Sequence, residues 1–166
     1  WLSNRGLLGA DLKQVGRSFE VAAAECDYFA PSPTGLWSCV YDLFAVTKPR
    51  QFYAETYAVR DWRSAGYTAA LFEAGPVAVV CRDSERLAAK LSDAYKTSVT
   101  GVNMDNWRDQ DAVMQKVADS NAKIIAVAGG PPCKLLVVDM AVKLKRVVLD
   151  LGGHIGFLLP EQKKAA

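Results

Sequence analysis

One histidine, His154, is all that the 166 residues contain. Its solitude excludes a multi-histidine metal site within one chain, and any Ser-His-Asp or Cys-His arrangement would have to use that single side chain. The nucleophile-elbow pattern G-x-S-x-G does not occur. Four cysteines, Cys26, Cys39, Cys81 and Cys133, lie far apart and form no C-x-x-C pair, which supports neither a zinc ribbon nor a dithiol redox motif. They read as buried reduced thiols, the usage of a cytosolic protein. Charge of one sign is also lacking. With 20 Lys and Arg against 18 Asp and Glu, the chain has no electrostatic footprint for nucleic acid or for a membrane surface. No apolar run approaches the ~20 residues that span a bilayer, and no basic-then-apolar leader opens the chain. Repeats and low-complexity segments are absent. The expectation is a cytoplasmic protein with no nucleic-acid partner and no membrane span.

What is present suffices for one core. A chain that is 51% apolar over this length predicts a single α/β domain covering residues 1–166. It starts at Trp1 rather than Met, which leaves an upstream segment of the full protein open.

The second half alternates short apolar runs with longer amphipathic ones. "PVAVVC" (76–81) is β-branched and short, as a buried strand requires. Asp83 or Ser84 supplies an N-cap, after which Leu87, Leu91 and Ala94 recur at helical spacing. "TSVTGV" (97–102) predicts a strand, "NWRDQDAVMQKVADSN" a helix stopping near Asn121, and "KIIAVA" (123–128) another strand. "CKLLVVDMAVKLK" predicts a third helix and "RVVLDL" (146–151) a fourth strand. Strands separated by helices of this length pair in parallel, so the fold class is a Rossmann-like, mainly parallel α/β sheet with helices on both faces. In the first half the pattern predicts a helix over 9–25, a strand over 26–30, and a largely buried helix over 36–46. A strand within "QFYAETYAVR" (51–60) and a helix over 64–75, ended by Gly75, follow.

Ligands of open parallel sheets bind beyond the carboxyl ends of the strands, where loops and helix N-termini converge. The candidates there are Arg82, Asp83 and Ser84 after the 76–81 strand, Asn103 and Asp105 after 97–102, and Gly129 and Gly130 after 123–128. Asp150 ends the last strand, followed by Gly152, Gly153 and His154. The two glycines leave backbone amides bare at the mouth of a helix, and Lys134 in its first turn could reach a phosphate. Pro131 and Pro132 suit a helix opening, whose N–H groups go unpaired in any case. Each element also has a plain structural meaning. "GGPPCK" is neither G-x-G-x-x-G nor a P-loop and can simply turn the chain; "CRDSE" can be an ordinary cap with a solvated arginine; His154 can be a hydrogen-bonded structural residue. Asp150 stands evenly between roles, since a carboxylate ending "VVLDL" is costly to bury without a partner. Any metal would need oxygen ligands around Mg²⁺ or Mn²⁺, from carboxylates and a nucleotide's phosphates.

The run "GPPCKLLVVDM" followed by "RVVLDLGGHI" resembles the C-terminal segment of the GT-D glycosyltransferases, bacterial sugar-nucleotide-dependent enzymes of Rossmann-like architecture. Gly130, Pro131, Leu136 and Asp139 take places in that pattern, and Asp150, Leu151 and His154 match its closing motif with one extra glycine. "QFYAETYAVRDW" is similar to a family strand that ends in an arginine, with Arg60 in its place. The order of elements corresponds over residues 20–156, with identities dense only in 130–154. The family's N-terminal Arg-aromatic-Gly-Asp-Gly-Glu motif has no counterpart; the nearest stretch, "NRGLLGADL", holds Arg5, Gly6, Gly9 and Asp11 but no Asp-x-Glu pair. The resemblance implies transfer of a sugar from a nucleotide diphosphate sugar, a UDP-sugar, to a hydroxyl of a glycan or glycoprotein acceptor. Under it, Arg60, Arg82, Ser84, Gly129, Gly130 and Lys134 bind the donor, Asp83, Asp150 and His154 serve catalysis, and Asp150 and His154 meet a Mg²⁺ or Mn²⁺ ion. The competing expectations are a non-catalytic nucleotide- or phosphosugar-binding module and a protein-interaction scaffold of the same fold.

Overall fold

The computed structural model describes residues 58–130 and 133–161, together with Arg17, Val21 and residues 24–27. Four parallel strands carry the fold: β1 (Val77–Cys81), β2 (Val99–Asn103), β3 (Ile124–Val127) and β4 (Val147–Asp150). Their order across the sheet is β2-β1-β3-β4. Each crossover holds a helix, α3 (Ser84–Tyr95), α4 (Gln110–Asp119) and α5 (Lys134–Leu144) respectively. Two short helices, α1 (Ala58–Ser64) and α2 (Tyr67–Glu73), precede β1, and a 3₁₀ segment (Gly152–Leu158) follows β4. This is the parallel α/β architecture that the alternating pattern predicts.

The register explains which apolar residues face which layer. Val77 and Val79 of β1 align with Ile124 and Ala126 of β3, and side chains two apart share a face. That face packs on Val59, Phe72, Ala88 and Leu91 of α1, α2 and α3, and on Leu158 of the 3₁₀ segment. The other face, with Val80, Ile125 and Val127, packs on Val113 and Val117 of α4 and on Leu136 and Met140 of α5. Because β1 is central and covered on both sides, all five of its residues are buried, as the unbroken run "VAVVC" requires. β4 borders only β3 among the described strands, and its Val147 is 58% exposed.

Several local expectations are corrected. Residues 58–60 belong to α1 and not to a strand, because "AVRDWRS" puts Val59 and Trp62 three apart, one helical turn, and both meet the core. Residues 51–57 lie outside the described residues, as do residues 28–30 and the helix expected over 36–46. Cys26 and Asp27, expected to open a strand, are not in one, whereas Arg17, Val21 and residues 24–25 are helical as expected. Helix α4 stops at Asp119 with Ser120 as C-cap, two residues before Asn121.

Two long-range fastenings lie on the amino-end side of the sheet, where the crossover helices finish. Tyr95, at the end of α3, stacks on Phe72 with ring centroids 4.3 Å apart and donates its hydroxyl to the Leu158 carbonyl at 2.8 Å. The 3₁₀ segment is thereby tied back to the core. Arg146 donates to the Val117 and Ala118 carbonyls at 2.7 and 3.1 Å, satisfying the C-terminal end of α4 from the start of β4.

Candidate functional site

The strand order reverses between β1 and β3. From β1 the chain moves outward to β2, and from β3 it moves outward to β4, in the opposite direction. The turns after β1 and β3 lead to helices on opposite faces, α3 and α5, so they part and leave a crevice at the carboxyl edge. Arg82, Asp83 and Ser84 form one wall; Gly129, Gly130 and Lys134 form the other.

On the first wall, the chain enters α3 through Asp83 in the left-handed region, φ 58°. That conformation turns its side chain away from the helix amides. Asp83 makes no side-chain cap, contrary to the capping expectation, and pairs instead with Arg86 at 3.2 Å on the exposed surface. The cap comes from the neighbouring strand. Asn103, the last residue of β2, accepts both the Ser84 backbone N–H at 2.9 Å and the Ser84 hydroxyl at 2.8 Å on its Oδ1. Ser84 is consequently buried, with its hydroxyl engaged. Gly101 makes this approach possible: a Cβ there would stand 2.8 Å from the Glu85 Cα and N and from the Ser84 carbonyl carbon. Arg82 is exposed beside this arrangement.

On the second wall, each glycine has its own structural reason. Gly130 has φ +73°, where a side chain is strained. Gly129 has no room: a Cβ would overlap Cys133 Sγ and Met104 Cε and lie 2.7 Å from Cys133 Cβ. Cys133 folds back over the turn, its thiol donating to the Gly129 carbonyl at 3.2 Å and lying 3.6 Å from the Met104 sulfur. Burial pushes the Cys133 thiol up to about 12, aided by the Asp150 carboxylate and partly offset by Lys134. Cys81 is likewise raised by burial and then by Asp83. Both remain protonated thiols and neither is a nucleophile near neutral pH. Pro131 and Pro132 lie outside the described residues.

Lys134 and Asp150 form an ion pair whose side chains are 24% and 19% exposed. Asp150 sits opposite Val127 at the carboxyl end of the sheet, on the face that carries α5, so the first turn of that helix delivers Lys134 to it. The other carboxylate oxygen, Oδ1, accepts the Gly152 N–H at 3.2 Å, which secures the left-handed turn at Gly152, φ +51°. The partner that a half-buried Asp150 needs is therefore the same lysine that sequence reasoning aims at a phosphate. His154 follows in the 3₁₀ segment, its ring stacked on Phe157 at 5.7 Å. Arg60 does not end a strand; it lies exposed in α1 beside Asp61, at 3.7 Å.

The fold thus brings Arg82, Asp83, Ser84, Gly129, Gly130, Lys134 and Asp150 to one edge, with His154 in the segment that follows. Among the described residues no three His, Cys, Asp or Glu side chains gather as a metal seat, so these residues alone do not fit Mg²⁺ or Mn²⁺. The apolar depression lined by Trp62, Tyr67, Leu71, Ile124, Val147 and Leu149 offers no carboxylate, amine, guanidinium or imidazole. It includes the first residues of β3 and β4 and so marks the amino end of the sheet, away from these turns.

A family model described as a GT-D fold-like domain matches residues 34–158. The chain belongs to this GT-D-like family. No curated protein and no solved structure matched it. The GT-D-like match covers every strand described above and both walls of the crevice, and gives the chain a glycosyltransferase-like fold. Among the described residues of this GT-D-like domain, no helix is long and apolar enough to cross a membrane. Asn103 and Gly101 are the residues whose roles sequence reasoning missed. Their signal is G-x-N closing a strand about 20 residues after a serine that opens a helix, and only the parallel pairing of β1 with β2 makes it meaningful.

Proposed function

We propose that this GT-D-like domain binds a nucleotide diphosphate sugar, a UDP-sugar, across the β1/β3 crevice and transfers the sugar to an acceptor hydroxyl. The observation that carries the reading is the parting of two turns, one with Arg82 and one with Gly130 leading into α5, at the switch point of a GT-D-like sheet. Arg82 and the mouth of α5 face the diphosphate, which is the leaving group. In the transfer the acceptor oxygen bonds to the anomeric carbon, the bond from that carbon to the diphosphate oxygen breaks, and the nucleoside diphosphate leaves with the electron pair. The acceptor proton passes to the Asp83 carboxylate, 68% exposed on the crevice wall. Asp150 holds Lys134 and the Gly152 turn in place, and His154 contacts the donor sugar.

A second reading, a nucleotide-binding module without transfer, is favoured by the Lys134 and Asp150 pair, which ties up a carboxylate and a cation that catalysis could use. Calorimetry with UDP and UDP-sugars, with and without Mn²⁺, and transfer of labelled sugar separate the two. Turnover that falls in D83N and H154A while UDP binding persists supports the transferase. UDP binding with no turnover or donor hydrolysis in the native chain supports the module, and absence of UDP binding removes both.

A further inference from the structure

Asn103 caps the helix on the first wall and has no part in the donor-binding and catalytic roles proposed above. It pairs in register with Cys81, so the ends of β2 and β1 leave the sheet at one level, with Arg82 the next residue. Two donors from Ser84, the N–H at 2.9 Å and the hydroxyl at 2.8 Å, converge on Asn103 Oδ1. A backbone N–H can only donate, so turning the amide over would set two donors against each other. Nδ2 is thereby fixed as the outward group. The residue is exposed, and among the described residues nothing accepts from Nδ2. Its seat is rigid, since the α3 backbone lies against Gly101 two residues earlier with no space for a side chain. Arg82, exposed, makes no ion pair among the described residues. Two neighbouring groups on one wall are thus pure donors, one of them cationic. Their match is an oxygen that only accepts and carries negative charge.

The geometry assigns to Asn103 a hydrogen bond from Nδ2 to a diphosphate oxygen of the nucleotide ligand, an assignment that rests on the nucleotide-sugar reading above. It moves the anchoring of the diphosphate toward the β1 and β2 wall, because Lys134 on the opposite wall is already neutralised by Asp150.

Asn103→Asp separates this role from the cap. An aspartate accepts the same two bonds from Ser84, so the start of α3 is kept, while the outward donor becomes an anionic acceptor. UDP and uridine are titrated calorimetrically into the whole chain, native and N103D, with thermal melts alongside. The expected result is an unchanged melting temperature, a fall in UDP affinity of about tenfold or more, and no change for uridine. Equal UDP affinity in both proteins, or an equal loss for UDP and uridine, overturns the contact and leaves the nucleotide reading standing. If the native chain binds no UDP, both fall. Should N103D lose its cooperative melt, the exposed R82Q decides: UDP affinity lowered about tenfold with a weaker salt dependence supports this wall, and unchanged affinity overturns it.

Discussion

Gly129→Ala tests whether the β3 turn is set by packing or only by backbone conformation. Unlike Gly130, Gly129 is not in the left-handed region, so alanine is conformationally permitted there. If conformation were all that mattered, the substitution would stabilise the chain by about 0.4–1 kcal/mol through the unfolded state. Packing gives the opposite sign. The new methyl would overlap Cys133 Sγ and Met104 Cε, and Cys133 is itself only 2% exposed with its thiol bonded to the Gly129 carbonyl. The Met104 methyl can swing away more easily than Cys133, which is held at the head of α5. Overpacking of this kind costs about 1–3 kcal/mol, leaving a net loss of about 1–2 kcal/mol after the unfolded-state gain. For a chain of this size that lowers the melting temperature by roughly 2–8 °C. Urea denaturation followed by circular dichroism measures it, and the same substitution in a C133A background should cost about half as much, because the thiol is gone. A stabilised G129A, or costs that simply add in the double variant, would refute the packing argument.

Three further outcomes follow from the same geometry. Lys134→Met strips Asp150 of its cation and should cost about 1–2 kcal/mol in urea, less than a fully buried pair because both side chains keep some solvent, whereas K134M/D150N, which removes the charge but keeps an oxygen for the Gly152 N–H, should recover most of that loss. Asn103→Ala removes the cap of α3 and leaves the buried Ser84 N–H unpaired, so it should cost about 1–2 kcal/mol by the same assay, and S84A, which loses only the hydroxyl bond, should cost less. Burial, then the Asp150 carboxylate, pushes the Cys133 thiol up to about 12 in the folded chain against an ordinary 9.0. Above pH 9 the unfolded chain has released a proton that the folded chain still holds, so the thiol's contribution to stability is full below that pH and is lost as pH rises toward 12. C133A should show a correspondingly shallower decline in alkaline urea titrations, and parallel curves would count against it.

By itself the sequence determined the α/β class, the four strands to within two residues, and the crossover helices. Their signals are local: β-branched runs of four or five residues against helical spacing such as Leu87 and Leu91. It also determined that the chemistry-bearing turns share one edge, since parallel strands all end on the same side. It placed Arg60 at the end of a strand within 51–60, whereas Val59 and Trp62, three residues apart, put Arg60 in α1. What only the tertiary structure decided is which polar groups find one another. Asn103 caps a helix 19 residues earlier, and Asp150 meets Lys134 across a crossover of 16. Both pairings cross the sheet or its connections, and no local propensity encodes them. The same holds for Gly129, whose bareness reflects Met104 and Cys133 packed against it, contacts that exist only once β2, β3 and α5 are assembled.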